Sequence, residues 1–188
     1  MMNTENQNLY FIAIVLPEEI SRQVIEVQKE FAERFDSRRS LRVMPHITLK
    51  APFRLPPIVH NHLLNWFLDL VVEIPSFQLE LKGFDAFKNP KHPVIYIKPS
   101  LNDSLFSLQR VLIQQFFDSF DDAKPNNTEL VFRPHITVAY RDLQPEMFER
   151  AWLEFRDKKF SGTFVVNSFQ LLKHDGKSWN IIRRYDLK

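Results

Sequence analysis

The tetrapeptide Pro-His-Ile-Thr occurs twice, at Pro45–Thr48 and at Pro134–Thr137, with the two histidines 89 residues apart. Each copy places an imidazole two residues from a hydroxyl. Successive side chains of a strand point to opposite faces, so residues i and i+2 share one. His46 and Thr48 therefore project together on a strand, as do His135 and Thr137. Ile47 and Leu49, and Ile136 and Val138, face the other way, toward a core. Proline has a fixed φ and no N–H to donate, and is best tolerated at the first position of a strand. Each histidine is thus expected at a strand entrance.

Two imidazoles on opposite sides of a phosphate can act as a base and acid pair, because both protonation states are accessible near neutrality. General acid–base groups typically contribute about 10²–10⁴-fold each. The neighbouring hydroxyls can donate to non-bridging phosphate oxygens. A single His-x-Thr on an amphipathic strand is usually structural; two copies in equivalent positions favour a site. A metal centre fits the sequence poorly. Zinc typically needs three or four His, Cys or carboxylate ligands, the chain has no cysteine, and neither motif has a carboxylate nearby on the histidine face. No metal and no cofactor are expected.

The elements that would hold these motifs follow from periodicity. Leu9–Leu16 reads as a buried strand and Pro17 to Phe35 as a helix, with Ile20, Val24, Val27 and Phe31 as its apolar stripe. Ser37–Val43 is a basic loop carrying Arg38, Arg39 and Arg42, and His46–Lys50 is the first motif strand. A helix over Val59–Val72, a strand over Phe77–Phe87, a turn and a strand over Val94–Lys98 follow. The order then repeats: a helix over Leu101–Phe120 capped by Ser100 or Asn102, a polar loop over Asp121–Glu129, and the second motif strand over His135–Tyr140. A helix over Pro145–Phe155, a strand over Phe164–Lys173, a hairpin turn at Asp175-Gly176 and a strand over Trp179–Leu187 complete the chain. Ser76-Phe77-Gln78-Leu79 recurs as Ser168-Phe169-Gln170-Leu171. The expected architecture is one two-lobed domain spanning the chain after a polar tail at Met1–Asn8. Two antiparallel sheets related by a pseudo-two-fold would share a central cleft.

Composition sets the frame. The 188 residues are 44% hydrophobic, with 18 Phe against 3 Gly, which suits a packed and mostly regular chain. The net charge of +2 does not announce a nucleic-acid coat protein. Zero cysteines exclude disulfides and thiolate catalysis and suit a reducing, cytoplasmic setting. The run Leu9–Leu16 is too short to span a membrane and lacks a signal-peptide pattern. No Gly-rich phosphate loop is present, so ATP-dependent ligation is not expected.

Paired His-x-Thr motifs at this spacing resemble the two-histidine phosphoesterase superfamily, which includes the RNA 2′,3′-cyclic phosphodiesterases long called 2′-5′ RNA ligases. The resemblance covers Leu9 to Leu187, and Met44-Pro45-His46-Ile47-Thr48-Leu49-Lys50 is similar to bacterial members in particular. It implies a bilobal α+β fold with helices on the outer faces of the sheets. It also implies metal-independent cleavage of a phosphodiester, typically a cyclic phosphate on a nucleotide or RNA end. It carries over His135 as base, His46 as acid, and Thr48 and Thr137 as phosphate-binding hydroxyls; the sequence itself does not distinguish acid from base. The chain lacks the long base-recognition insert of many relatives.

Accessory candidates are Lys50, at i+4 from His46, Arg133, two before His135, and Tyr140. Phe53 and Arg54 could border the cleft, with core packing favoured for Phe53 and Tyr140; Lys173 is a weaker candidate. His60 and His62 are expected on solvated surface, and His92 and His174 in turns without function. The expected partner is a small nucleotide or an RNA-end phosphodiester bound by a monomer, with no membrane. The competing readings are a nucleotide- or RNA-end-binding module without turnover, and a structural duplication.

Overall fold

The computed structural model describes residues 7–120 and 127–188. Among the described residues, eight strands form two four-stranded antiparallel sheets. The first sheet has the order β2-β1-β7-β8, from β1 (Asn8–Val15), β2 (His46–Leu55), β7 (Ser168–His174) and β8 (Trp179–Asp186). The second has the order β5-β4-β3-β6, from β3 (Phe77–Phe87), β4 (Val94–Pro99), β5 (Ile136–Ala139) and β6 (Ser161–Val166). Superposed in order, the sheets pair β2 with β5, β1 with β4, and β7 with β3. The echoed Ser-Phe-Gln-Leu segments lie in β3 and β7, third in each sheet. Both motif strands are edge strands.

Helices cover one face of each sheet. α1 (Glu18–Arg34) and α5 (Pro145–Phe155) lie on the second sheet, α1 against β5 and β6 and α5 against β4. α2 (His60–Leu68) and α3 (Asp103–Ser119) lie on the first, against β8 and β2. α1 follows a strand of one sheet yet packs on the other, and α3 does the converse. The lobes are therefore interlocked. Pro17 precedes α1, whose first turn carries Glu18 and Glu19 where the helix dipole favours anions. Asn102 caps α3, its side chain accepting from the Leu105 N–H at 3.0 Å.

Phenylalanine builds the core. Phe31 and Phe155 join α1 to α5 with ring centroids 4.5 Å apart, and Phe155 meets Phe84 of β3 edge to face. Beneath the first sheet, Phe116 of α3 packs on Phe53 of β2 and Trp66 of α2.

Three expected elements differ. The strand expected over Phe164–Lys173 is two strands broken at Asn167: β6 ends the second sheet and β7 enters the first. The helix expected to reach Val72 stops at Leu68. There Gln115 of α3 holds the Val71 backbone, accepting from its N–H at 3.0 Å and donating to its carbonyl at 2.9 Å, and Pro75 favours extended backbone just before it. The first motif strand runs on to Leu55. The expected polar loop over Asp121–Glu129 and the polar tail lie largely outside the described residues; α4 (Asn127–Leu130) is a single turn.

Phe116 is fully buried and contacts Phe53, Trp66 and Phe120. Phe116→Ala will cost about 3–5 kcal/mol of stability in urea unfolding; a loss below about 1 kcal/mol would contradict this packing.

Candidate active site

Alternation along the motif strands sets the site. Ile47, Leu49, Ile136 and Val138 are buried in the core, and His46, Thr48, His135 and Thr137 keep partial access on the other face. In β1, Val15 pairs with His46 and Ala13 with Thr48; in β4, Tyr96 pairs with Thr137. A single cavity of about 490 Å³ is lined by all four motif residues. Phe11, Gln28, Ser40, Tyr140, Arg141 and Trp179 complete much of its wall. A neighbouring cavity shares Thr48, Pro52 and His135 and is bordered by Phe87, Phe132 and Arg133.

The two imidazoles are held identically. His46 Nδ1 lies 2.7 Å from the Met44 carbonyl, and His135 Nδ1 lies 2.7 Å from the Arg133 carbonyl. A carbonyl only accepts, so each Nδ1 is the protonated nitrogen and each Nε2 carries the free lone pair when the ring is neutral. The prolines make this bond. A residue before proline is pushed to extended backbone, and here its carbonyl turns back onto the ring two residues later. Phe11 packs on His46 at 5.0 Å between centroids; Phe87 and Tyr96 pack on His135 at 5.0 and 5.4 Å.

Burial lowers the pKa of both rings. His46 falls from 6.5 to about 4, chiefly through desolvation, opposed by its carbonyl partner and deepened by His135. His135 is lowered by the same desolvation, again opposed by its carbonyl. Both are neutral at pH 7 without ligand. An anion between them would reverse the electrostatic part of this and draw a proton onto one ring.

The accessory candidates separate. Tyr140 lines the cavity half-buried, contrary to the core position favoured for it, with the Arg141 guanidinium 5.3 Å above its ring. The exposed Arg133 borders the neighbouring cavity and supplies the carbonyl that holds His135. Lys50 does not face the cleft. The register with β1 shifts between Thr48 and Lys50, leaving Leu49 as the extra residue of a bulge. The alternation slips there, and Lys50 turns inward to pair with Glu129 at 2.5 Å, their side chains 4% and 2% exposed. Phe53 is core, as expected, and Arg54 is exposed. Lys173 stands 5.9 Å over the Tyr10 ring.

Two histidines expected to be idle have contacts. His60 is half-buried rather than solvated, its Nδ1 2.8 Å from the Tyr10 hydroxyl. His174 lines the cavity, its Nδ1 accepting from Gly176 N–H at 3.1 Å. It lies in an aromatic row, against Trp179, which packs on Phe11. Gly176 at φ +97° and the Asp175 carboxylate, which accepts from the Lys177 and Ser178 N–H groups, shape the hairpin that presents Trp179. Among the described residues no cluster of three or more His, Cys, Asp or Glu could hold a metal ion.

Residues 16–178 match the model of the 2′-5′ RNA ligase superfamily. The chain belongs to that superfamily. A Geobacillus kaustophilus protein bearing the provisional name phosphoesterase is 30% identical over 179 residues, covering 94% of each chain. A Staphylococcus aureus protein of the same provisional name is 25% identical over 170 residues, covering 89% of this chain and 94% of its own. The structure of Escherichia coli LigT with 3′-AMP superposes with a TM-score of 0.71 at 20% identity, covering 97% of this chain and 99% of that one. TT0787 of Thermus thermophilus superposes with a TM-score of 0.64 at 20% identity, over 95% and 97%. These superpositions confirm the two-sheet fold. Among the described residues no helix is long and apolar enough to cross a membrane.

Two outcomes follow from the buried groups. Lys50→Met will destabilise the fold by about 3 kcal/mol, because it removes one half of a buried ion pair; urea unfolding unchanged from wild type would contradict the inward orientation. His46 resists protonation in the folded state, so its contribution to stability is full above pH 6.5 and is lost as pH falls toward about 4. In His46→Gln that part of the pH dependence will disappear. Parallel wild-type and variant profiles would contradict it.

Proposed function

We propose that this protein is a metal-independent phosphodiesterase that opens a cyclic phosphate on a nucleotide or RNA end, or cleaves a 2′-5′ phosphodiester. The observation carrying the reading is the single cavity lined by both His-x-Thr pairs, with each Nδ1 tied to a carbonyl and each Nε2 left free. Membership of the superfamily and the fold shared with LigT, solved with 3′-AMP, support it.

In this reading the phosphate sits between the rings. His135 Nε2 takes a proton from water as its oxygen bonds to phosphorus. His46 Nε2 gives a proton to the ribose oxygen as its bond to phosphorus breaks. The Thr48 and Thr137 hydroxyls donate to the non-bridging oxygens, where charge builds up. The substrate anion itself raises the depressed pKa of the acid, so the ring takes up from solvent the proton it needs as the ligand binds. In the ligation direction the two rings exchange roles. The setting of this reaction is the cytoplasm.

Hydrolysis of 2′,3′-cyclic nucleotides and cyclic-phosphate-ended RNA in EDTA tests the proposal. His46→Ala and His135→Ala will each lower kcat by about 10²–10⁴-fold, with folding retained. Activity surviving in the double variant contradicts the mechanism. Tight binding without product across the panel would instead make this a nucleotide-binding module.

A further inference from the structure

The apolar stripe of α1 contains one polar residue. Ile20, Val24, Gln28, Phe31 and Ala32 are its buried positions, and Gln28 is 2% exposed. Its Nε2 donates to the Thr137 carbonyl at 3.1 Å. A carbonyl cannot donate, so the amide cannot be turned over, and Oε1 must face away from Thr137. Oε1 is buried and has no hydrogen-bond partner among the described residues. Ser40, 1% exposed in the turn Arg39–Arg42, has a buried hydroxyl in the same condition. Both residues line the cavity that holds the two histidines.

Neither position is loose. Asp142, just after β5, accepts from Ser37 Oγ at 2.9 Å and from the Arg38 and Arg39 N–H groups at 2.8 and 3.0 Å, which fixes the turn that carries Ser40. Arg141 beside it takes φ +58°. A leucine or methionine at 28 would fill the stripe without burying an unmet acceptor, and native structures rarely leave such groups unexplained.

We propose that Gln28 Oε1 and Ser40 Oγ form a subsite that reads the hydrogen-bonding edge of a nucleobase. This rests on the phosphodiesterase reading of the same cavity. Gln28 Oε1 can only accept, and the Ser40 hydroxyl can donate. An N–H beside a lone pair is the pattern that a base edge offers. Phe11, Tyr140 and Trp179 supply flat surface in the same cavity wall. The subsite does, inside the fold, what a base-recognition insert would do outside it.

The test compares a 2′,3′-cyclic nucleotide with the 2,3-cyclic phosphate of 1-O-methylribose, which keeps the sugar and lacks the base. Ser40→Ala will lower the ratio of kcat/KM for nucleotide over abasic substrate about tenfold, as expected for one lost hydrogen bond. Gln28→Met will lower that ratio too, and will also lower kcat on both substrates because the Thr137 carbonyl loses its donor. An unchanged ratio in Ser40→Ala overturns the proposal. If neither compound is turned over, the side-chain amide resonances of Gln28 decide. A shift with 3′-AMP and none with ribose 5-phosphate supports the subsite without the catalytic reading. Equal shifts, or none, overturn it.

Discussion

The cleft depends on two backbone carbonyls, those of Met44 and Arg133, each accepting from the imidazole two residues on. These bonds choose the tautomer, and so decide which nitrogen has a lone pair. They fix each ring in place while opposing the desolvation that lowers both pKa values and keeps the rings neutral. The proline between carbonyl and histidine is the structural cause. It cannot donate to the ladder, so each motif strand begins at or just after its histidine, at a mouth rather than within a sheet.

The interlocking of the lobes makes two such strands into one site. A helix that leaves one sheet and packs on the other ties the position of β5 to that of α1, and of β2 to α3. Gln28 makes this tie polar, running from α1 to the carbonyl of Thr137. Asp142 makes a second one, from the end of β5 to the turn after α1. Aromatic packing supplies the rigidity, with Phe31, Phe84 and Phe155 under one sheet and Phe53, Trp66 and Phe116 under the other.

The sequence was most informative where local pattern and tertiary demand agree. The motif strands, α1, α5 and the Asp175-Gly176 hairpin are legible because alternation, helical spacing and turn chemistry each point one way. Lys50 was misplaced because a bulge changes the alternation by one residue, and bulges depend on the partner strand. Asn167 hides a crossing between sheets because an unbroken β-prone run looks the same whether or not it changes partners. Helix α2 ends early through Gln115, forty-four residues away from the backbone that it holds. Gln28 did leave a trace, an amide at a buried position of an amphipathic stripe, although only the fold shows what it faces. His174 and Trp179 reach the cavity from the far end of the chain, beyond any local signal.

The most direct test is long-range 1H–15N NMR of the imidazole rings of His46 and His135, titrated from pH 8 downward with and without 3′-AMP. The account predicts that without ligand both rings carry their proton on Nδ1 at pH 7 and titrate below 6.5, and that the ligand moves both midpoints upward together. In the ligand-free protein a ring protonated on Nε2 instead of Nδ1 at neutral pH, or a ligand that moves one histidine and leaves the other untouched, would contradict a two-histidine site.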